Sequence, residues 1–153
     1  MASMEDRRWL TAAAELSRRS TPTLTNYAVG AIVVDRHGRV LATGYTGERD
    51  PRDHAEEVAL AKIAAGPRLD LAEATIYSTL EPCTARRSRP GTCTDLILAH
   101  GIGRVVFALR EPLIFADCRG AESLRDAGVD VHEIGSLGHL VREINAQHFI
   151  AAP

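Results

Sequence analysis

Four side chains in this sequence have the types and spacing to do chemistry together. His54-Ala55-Glu56 is followed by Glu81-Pro82-Cys83 and then by Cys93. One imidazole and two thiolates fill three of the four positions around a tetrahedral zinc ion, and the position left over suits water, as in catalytic rather than structural zinc sites. Zinc brings the pKa of a bound water down to roughly 7. Glu56, two residues beyond the histidine, is not needed as a ligand. A carboxylate there can take a proton from that water and pass it to a ring nitrogen and then to a departing amine.

The elements that must position these residues are legible in outline. Asp53 is the expected N-cap of a helix that carries Glu56 and Glu57 in its first turn, continues through Val58, Leu60 and Ile63, and stops at Gly66-Pro67. Ala74 to Thr79 reads as a strand that delivers Leu80-Glu81-Pro82-Cys83 at its C-terminal end. Cys93 opens a further helix that Gly101 ends. His54 and Cys93 are therefore expected at two helix N-termini. The positive ends of the helix dipoles and free N–H groups there would favour thiolate over thiol.

The rest of the chain surrounds this set. Residues 5–19 read as a helix, Ala28 to Val34 and Val40 to Tyr45 as a hairpin about Arg36-His37-Gly38, and Arg104 to Ala108 as a strand. Glu122 to Ala127 is a short helix, Val129 to Ile134 a strand, and Leu137 to Ile150 an amphipathic helix with Leu140, Val141, Ile144 and Phe149 on its apolar side. The order α-β-β-α-β-α-β-α-β-α calls for a sheet covered on both faces. No repeat, low-complexity tract or linker divides the chain, so residues 1–153 are expected to form a single domain.

Composition narrows the partners. An apolar fraction of 45% and a charged fraction of 25% are ordinary for a globular protein. A net charge of -2 gives no general attraction to nucleic acid or anionic membrane. No run approaches the ~18 apolar residues of a membrane span, and the charged segment Met1 to Leu10 has no secretory h-region. Two of three cysteines suit a metal better than a disulfide, which points to a reducing cytoplasm.

Taken singly, each site residue has an ordinary reading. His54 could be a surface histidine, Glu56 a favourable first-turn acid like its neighbour Glu57, and Cys83 and Cys93 small buried hydrophobes. Their conjunction, in order and at element ends, favours the zinc reading. Cys118 reads as an unliganded thiol, and His37, His100, His132, His139 and His148 lack ligand spacing. Arg86-Arg87-Ser88-Arg89, between the two cysteines, reads either as a phosphate clamp, since guanidinium binds phosphate bidentately, or as a solvated basic loop.

With these motifs in view, the chain resembles the cytidine deaminase superfamily, whose His-x-Glu, Pro-Cys and second-Cys signature it shares. Within that superfamily it is most similar to the deaminase domain of the bifunctional riboflavin-biosynthesis deaminase–reductases. The similarity is carried by Asn26 with Val29-Gly30, His54-Ala55-Glu56, Thr79-Leu80-Glu81-Pro82-Cys83-Thr84, Cys93-Thr94-Asp95-Leu96-Ile97 and Gly101-Ile102-Gly103-Arg104-Val105-Val106. The resemblance implies a three-layer α/β/α sandwich around a five-stranded mixed sheet. It implies zinc held by His54, Cys83 and Cys93, attack of zinc-bound hydroxide on the amino-bearing carbon of a pyrimidine, proton shuttling by Glu56, and release of ammonia. It also implies that Asn26 and the backbone N–H groups at Ala55 and Glu56 hold the substrate, and that the protein is a homodimer or higher homo-oligomer. Arg86, Arg87 and Arg89 join these as candidate substrate contacts.

The chain departs from the family pattern in its pocket rather than in its zinc motif. Tyr27 stands where the family has proline. Gly44-Tyr45-Thr46 lacks the family's Gly-x-His histidine, and the inter-cysteine loop is one residue longer. The family's reductase domain is absent from residues 1–153. Three readings follow. The first is a deaminase of a phosphorylated riboflavin-pathway diaminopyrimidine. The second is a deaminase of another amino-heterocycle, such as cytosine, cytidine, guanine or a specialised-metabolism intermediate. The third is a non-catalytic zinc-stabilised binding domain. A polynucleotide substrate is disfavoured, because the chain lacks a broad basic face with stacking aromatics.

Overall fold

The computed structural model describes residues 2–20, 26–84, 91–110 and 119–146. In chain order these form α1 (Met4–Ser17), β1 (Gly30–Val34), β2 (Val40–Tyr45), α2 (Ala55–Ala64), β3 (Thr75–Leu80) and α3 (Cys93–His100). Then come β4 (Arg104–Leu109), α4 (Gly120–Asp126), β5 (Asp130–Glu133), a 3-10 turn at Gly135–Leu137 and α5 (Gly138–Ile144). The sheet order is β2-β1-β3-β4-β5. The first three strands are antiparallel and the last three parallel, a mixed five-stranded sheet as the resemblance implies. Helices α1 and α5 cover one face, and α2, α3 and α4 the other.

Two glycines allow the layers to close at the end where the site lies. A Cβ at Gly30 would meet the Ala13 carbonyl oxygen of α1 at 2.0 Å, and one at Gly44 would meet the Ala55 carbonyl oxygen of α2 at 2.3 Å. Both α1 and the first residues of α2 therefore rest directly on strand backbone. The core between the layers is built from alternating strand residues such as Ile76, Val105 and Phe107, with Leu10, Leu60, Ile97 and Leu124 from the helices. Phe107 is wholly buried in this core. No helix among the described residues is long and apolar enough to cross a membrane.

The structure corrects several element ends. β1 begins at Gly30, two residues later than the β-branched pattern suggests, because Ala28 pairs with a side chain instead of a strand. Asn145 accepts the Ala28 N–H at 2.6 Å and donates to the Ala28 carbonyl at 3.1 Å. This amide, completely buried, also donates to Val141 and so ties α5 to the segment leading into β1. Asp53 does not cap α2; His54 is the N-cap, and the Asp53 carboxylate instead accepts the N–H groups of Arg49 and Asp50 in the preceding loop. The final helix is shorter than expected over the described residues, with Gly135–Leu137 as a 3-10 turn; Phe149, His148 and Ile150 lie outside them.

At the far end of the sheet, Asp6 joins α1 to the strands. It accepts two hydrogen bonds of 2.7 Å from the Arg104 guanidinium, one of 2.8 Å from the Tyr77 hydroxyl and one of 2.9 Å from the Ser3 N–H. The Arg104 bond, above all, holds the Asp6 carboxyl well below the ordinary carboxylate range. A carboxyl depressed in the folded state stabilises the fold above its unfolded pKa of about 3.9, and that stabilisation is lost as pH falls. Asp6→Asn should therefore cost about 2 kcal/mol at neutral pH. It should also flatten the loss of stability below about pH 4. Denaturant unfolding of both proteins at neutral and acid pH checks this.

Candidate active site

The C-terminal end of β3, the start of β1, the end of β2 and the N-termini of α2 and α3 meet at one end of the sheet. Thr92 caps α3 through a reciprocal pair with Asp95, at 3.2 and 3.3 Å, which fixes Cys93 as the first helical residue. On α2 the corresponding acid is Glu57, whose carboxylate accepts the His54 N–H at 3.3 Å. Glu57 thus serves the helix end, and its neighbour Glu56 turns inward, where only 4% of it is exposed.

These elements bring three sequence-predicted ligands together. His54 Nδ1 lies 3.3 Å from Cys93 Sγ and 3.6 Å from Cys83 Sγ, and all three atoms lie within 4.8 Å of one another. Zn–N distances of about 2.0–2.1 Å and Zn–S distances of about 2.3 Å at a tetrahedral centre require an N···S separation of about 3.6 Å. The donor set therefore fits zinc, with Nδ1 as the metal-facing nitrogen. The Cys93 N–H donates to Cys83 Sγ at 3.3 Å, so the α3 N-terminus supports negative charge on that sulfur. The hydrogen bond from the Cys93 thiol, followed by the influence of His54, lowers the Cys83 pKa against the opposing effect of burial. The same bond raises that of Cys93, helped by its complete burial and by the nearby Glu56 carboxylate.

The loop after β3 is fixed from behind by a residue to which sequence reasoning gave no role. Glu81, buried, accepts the Ala121 N–H of α4 at 3.0 Å and faces Arg110 Nη1 at 3.5 Å. Gly120 lets α4 approach Pro82, since a Cβ there would meet the Pro82 carbonyl oxygen at 1.9 Å. The Thr94 N–H then reaches the Cys83 carbonyl at 3.2 Å. In the sequence the only signal is an acid directly before Pro-Cys; its need for a partner follows from its burial in the fold.

Other candidates sort clearly. Asn26 stands exposed on the approach to β1, at the same end of the sheet as Cys83, and Tyr27 behind it is buried. The N–H groups of Ala55 and Glu56, in the first turn of α2, have no intrahelical acceptor. Thr46, at the position of the missing histidine, accepts the Val29 N–H at 2.9 Å through its hydroxyl. Arg86, Arg87 and Arg89, like Cys118, lie outside the described residues. Four remaining histidines have local partners: His100 the Leu96 carbonyl, His132 Asp130, His139 the Ser136 carbonyl and His37 Arg36.

Fold and site together define a zinc-binding domain of the deaminase type. The profile of the cytidine and deoxycytidylate deaminase zinc-binding region matches residues 3–109, and the chain belongs to that family. Several of its relatives are riboflavin-biosynthesis deaminases. The diaminohydroxyphosphoribosylamino-pyrimidine deaminase of Schizosaccharomyces pombe is 40% identical over 118 residues, covering 76% of this chain and 29% of that protein. The diaminohydroxyphosphoribosylaminopyrimidine deaminase/5-amino-6-(5-phosphoribosylamino)uracil reductase of Thermotoga maritima superposes with a TM-score of 0.78 at 33% identity, over 92% of this chain and 39% of that one. The Rib2 deaminase of Aspergillus oryzae, a C-terminal deletion mutant solved in complex with DARIPP, gives a TM-score of 0.80 at 27% identity, over 93% and 91% of the two chains. The chain thus spans well under half the length of the first two relatives.

Proposed function

We propose that this protein is a zinc-dependent hydrolytic deaminase whose substrate is the phosphorylated diaminopyrimidine of riboflavin biosynthesis. The observation that carries the reading is the buried carboxylate of Glu56 beside the His54, Cys83 and Cys93 donor set, at the mouth of two helix N-termini. A structural zinc site has no use for such a group.

When bound, zinc supplies the Lewis acidity that makes water a nucleophile at neutral pH. The chain's own residues do the rest. Glu56 accepts a proton from the attacking water and delivers it to the ring nitrogen next to the reacting carbon; it then takes the proton of the newly added hydroxyl and passes it to the departing amine. The C–N bond to the amino group breaks, a C–O bond takes its place, and ammonia leaves. The N–H groups of Ala55 and Glu56 hold a ring carbonyl, Asn26 holds the substrate from the β1 side, and Arg86, Arg87 and Arg89 neutralise its phosphate. Small amino-heterocycles, not polynucleotides, fit this assignment. The family relation supports a homodimer or higher homo-oligomer, which light scattering would register as at least twice the chain mass.

One observation favours a second reading within the same chemistry. The Thr46 hydroxyl is engaged with the Val29 backbone, so that corner of the pocket presents no imidazole to a substrate. A deaminase of a different amino-heterocycle would tolerate this more easily. Ammonia release by the zinc-loaded protein, compared across the diaminopyrimidine ribotide, cytidine, cytosine and guanine, separates the two. The proposal expects kcat/KM for the ribotide to exceed the others by about a hundredfold or more, the discrimination available to a site with buried polar contacts. Preferred turnover of another ring would transfer the assignment to that ring.

A further inference from the structure

We propose that Ser78 is a positioning residue for Glu56, holding its carboxyl toward the zinc site. The inference rests on the deaminase reading above.

Ser78 lies in β3 in register with Ala31 of β1 and is 0% exposed. Its neighbours on the same strand face are Ile76 and Leu80, so a serine interrupts an apolar row that packs beneath α2. A hydroxyl in such a place costs stability unless it is hydrogen-bonded. It has two acceptors within reach: Glu56 Oε1 at 2.5 Å and the Leu80 carbonyl oxygen at 2.9 Å. The first contact joins the floor of the sheet to the α2 side chain. The second joins the same hydroxyl to the peptide just before Glu81-Pro82-Cys83.

A serine hydroxyl has one proton to give and can accept as well. When Glu56 is a carboxylate, Ser78 donates to Oε1. Oε1 can accept that bond while the other carboxyl oxygen takes up and gives back the proton, so the anchor needs no rearrangement. Oε1 stays held while the other carboxyl oxygen is the one presented to the reacting atoms. An alanine or valine at this position would remove the anchor and free the carboxyl to rotate. Misplacement of a catalytic group by about 1 Å can cost about a hundredfold in rate.

The test compares Ser78→Ala, Ser78→Thr and Ser78→Val in the zinc-loaded protein. Thr and Val differ in the hydroxyl while filling nearly the same space, so their comparison separates hydrogen bonding from packing. We expect Ala and Val to lower kcat about 30- to 100-fold, with KM within about threefold and one zinc retained per chain, while Thr stays within about fivefold of the parent. A crystal structure of Ser78→Ala should show the Glu56 carboxyl rotated away from its parent orientation. The proposal is overturned if Ala or Val keeps kcat within about threefold of the parent, if Thr loses as much as Val, or if Glu56 keeps its orientation in Ser78→Ala. If the parent protein releases ammonia from none of the heterocycles, the deaminase reading fails, and the orientation of Glu56 in the crystal still decides whether Ser78 positions it.

Discussion

Glu56→Gln should lower kcat about 10³- to 10⁴-fold while leaving one zinc per chain and the fold intact. The magnitude is the upper part of what a positioned acid–base group contributes. Glutamine has the size of glutamate and can still accept the Ser78 hydroxyl through its carbonyl oxygen, so the packing between β3 and α2 is preserved. What it cannot do is take a proton from water and return it to nitrogen. Zinc should stay because Glu56 is not in the donor set of His54, Cys83 and Cys93. The outcome separates an enzyme from a zinc-stabilised binding domain, since a binding domain would have no turnover for the substitution to remove. Ammonia release and metal content measured on the same sample check it.

Cys93→Ser should cost both metal and activity, and by more than the 10- to 100-fold that partners outside the ligand shell of a zinc site typically contribute. Cys93 is completely buried at the first position of α3, 3.3 Å from His54 Nδ1. Its backbone N–H also supports Cys83 Sγ, and a serine would keep that bond while giving up a soft thiolate ligand. The expected result is therefore a folded protein with little zinc after dialysis and ammonia release below a thousandth of the parent's, about the loss expected when the group activating water is gone. Metal analysis alongside circular dichroism distinguishes this from unfolding. A Cys93→Ser protein that binds zinc as tightly as the parent would remove Cys93 from the ligand set.

The chemistry of the site was more legible in the chain than its support. His54, Glu56, Cys83 and Cys93 announce themselves because metal ligation and acid–base work demand particular atoms, and few residue types supply them. The placement of His54, Glu56 and Cys93 at helix starts follows from local signals, Gly66-Pro67 and Gly101 closing the helices that they open. The cap of α2 lies one residue beyond Asp53, and the sequence does not separate the two because Asp53 and His54 both suit an N-terminus. Only the loop geometry, in which Asp53 gathers the N–H groups of Arg49 and Asp50, decides between them.

Long-range pairings account for most of what stayed hidden. The bond between Asn145 and Ala28 spans 117 residues, and that between Tyr77 and Asp6 spans 71. Neither side of such a pair has a periodicity or turn signal that names its partner. Ser78 belongs to the same class: within Thr75–Leu80 it reads as a tolerable strand residue, and its relation to Glu56 exists only once β3 lies under α2. The arginines between the cysteines differ in kind, since their types suggest phosphate while nothing local to them sets the direction in which they point.

The central claim, that this site removes an amino group by hydrolysis, is tested most directly by incubating the zinc-loaded protein with the diaminopyrimidine ribotide in water enriched in heavy oxygen and following ammonia and product mass together. The account predicts one ammonia released for each ribotide consumed and one labelled oxygen on the ring carbon that bore the amino group. An intact ribotide, with zinc fully bound and no ammonia formed, would contradict the assignment of this substrate; the same result with every amino-heterocycle tried would contradict the deaminase itself.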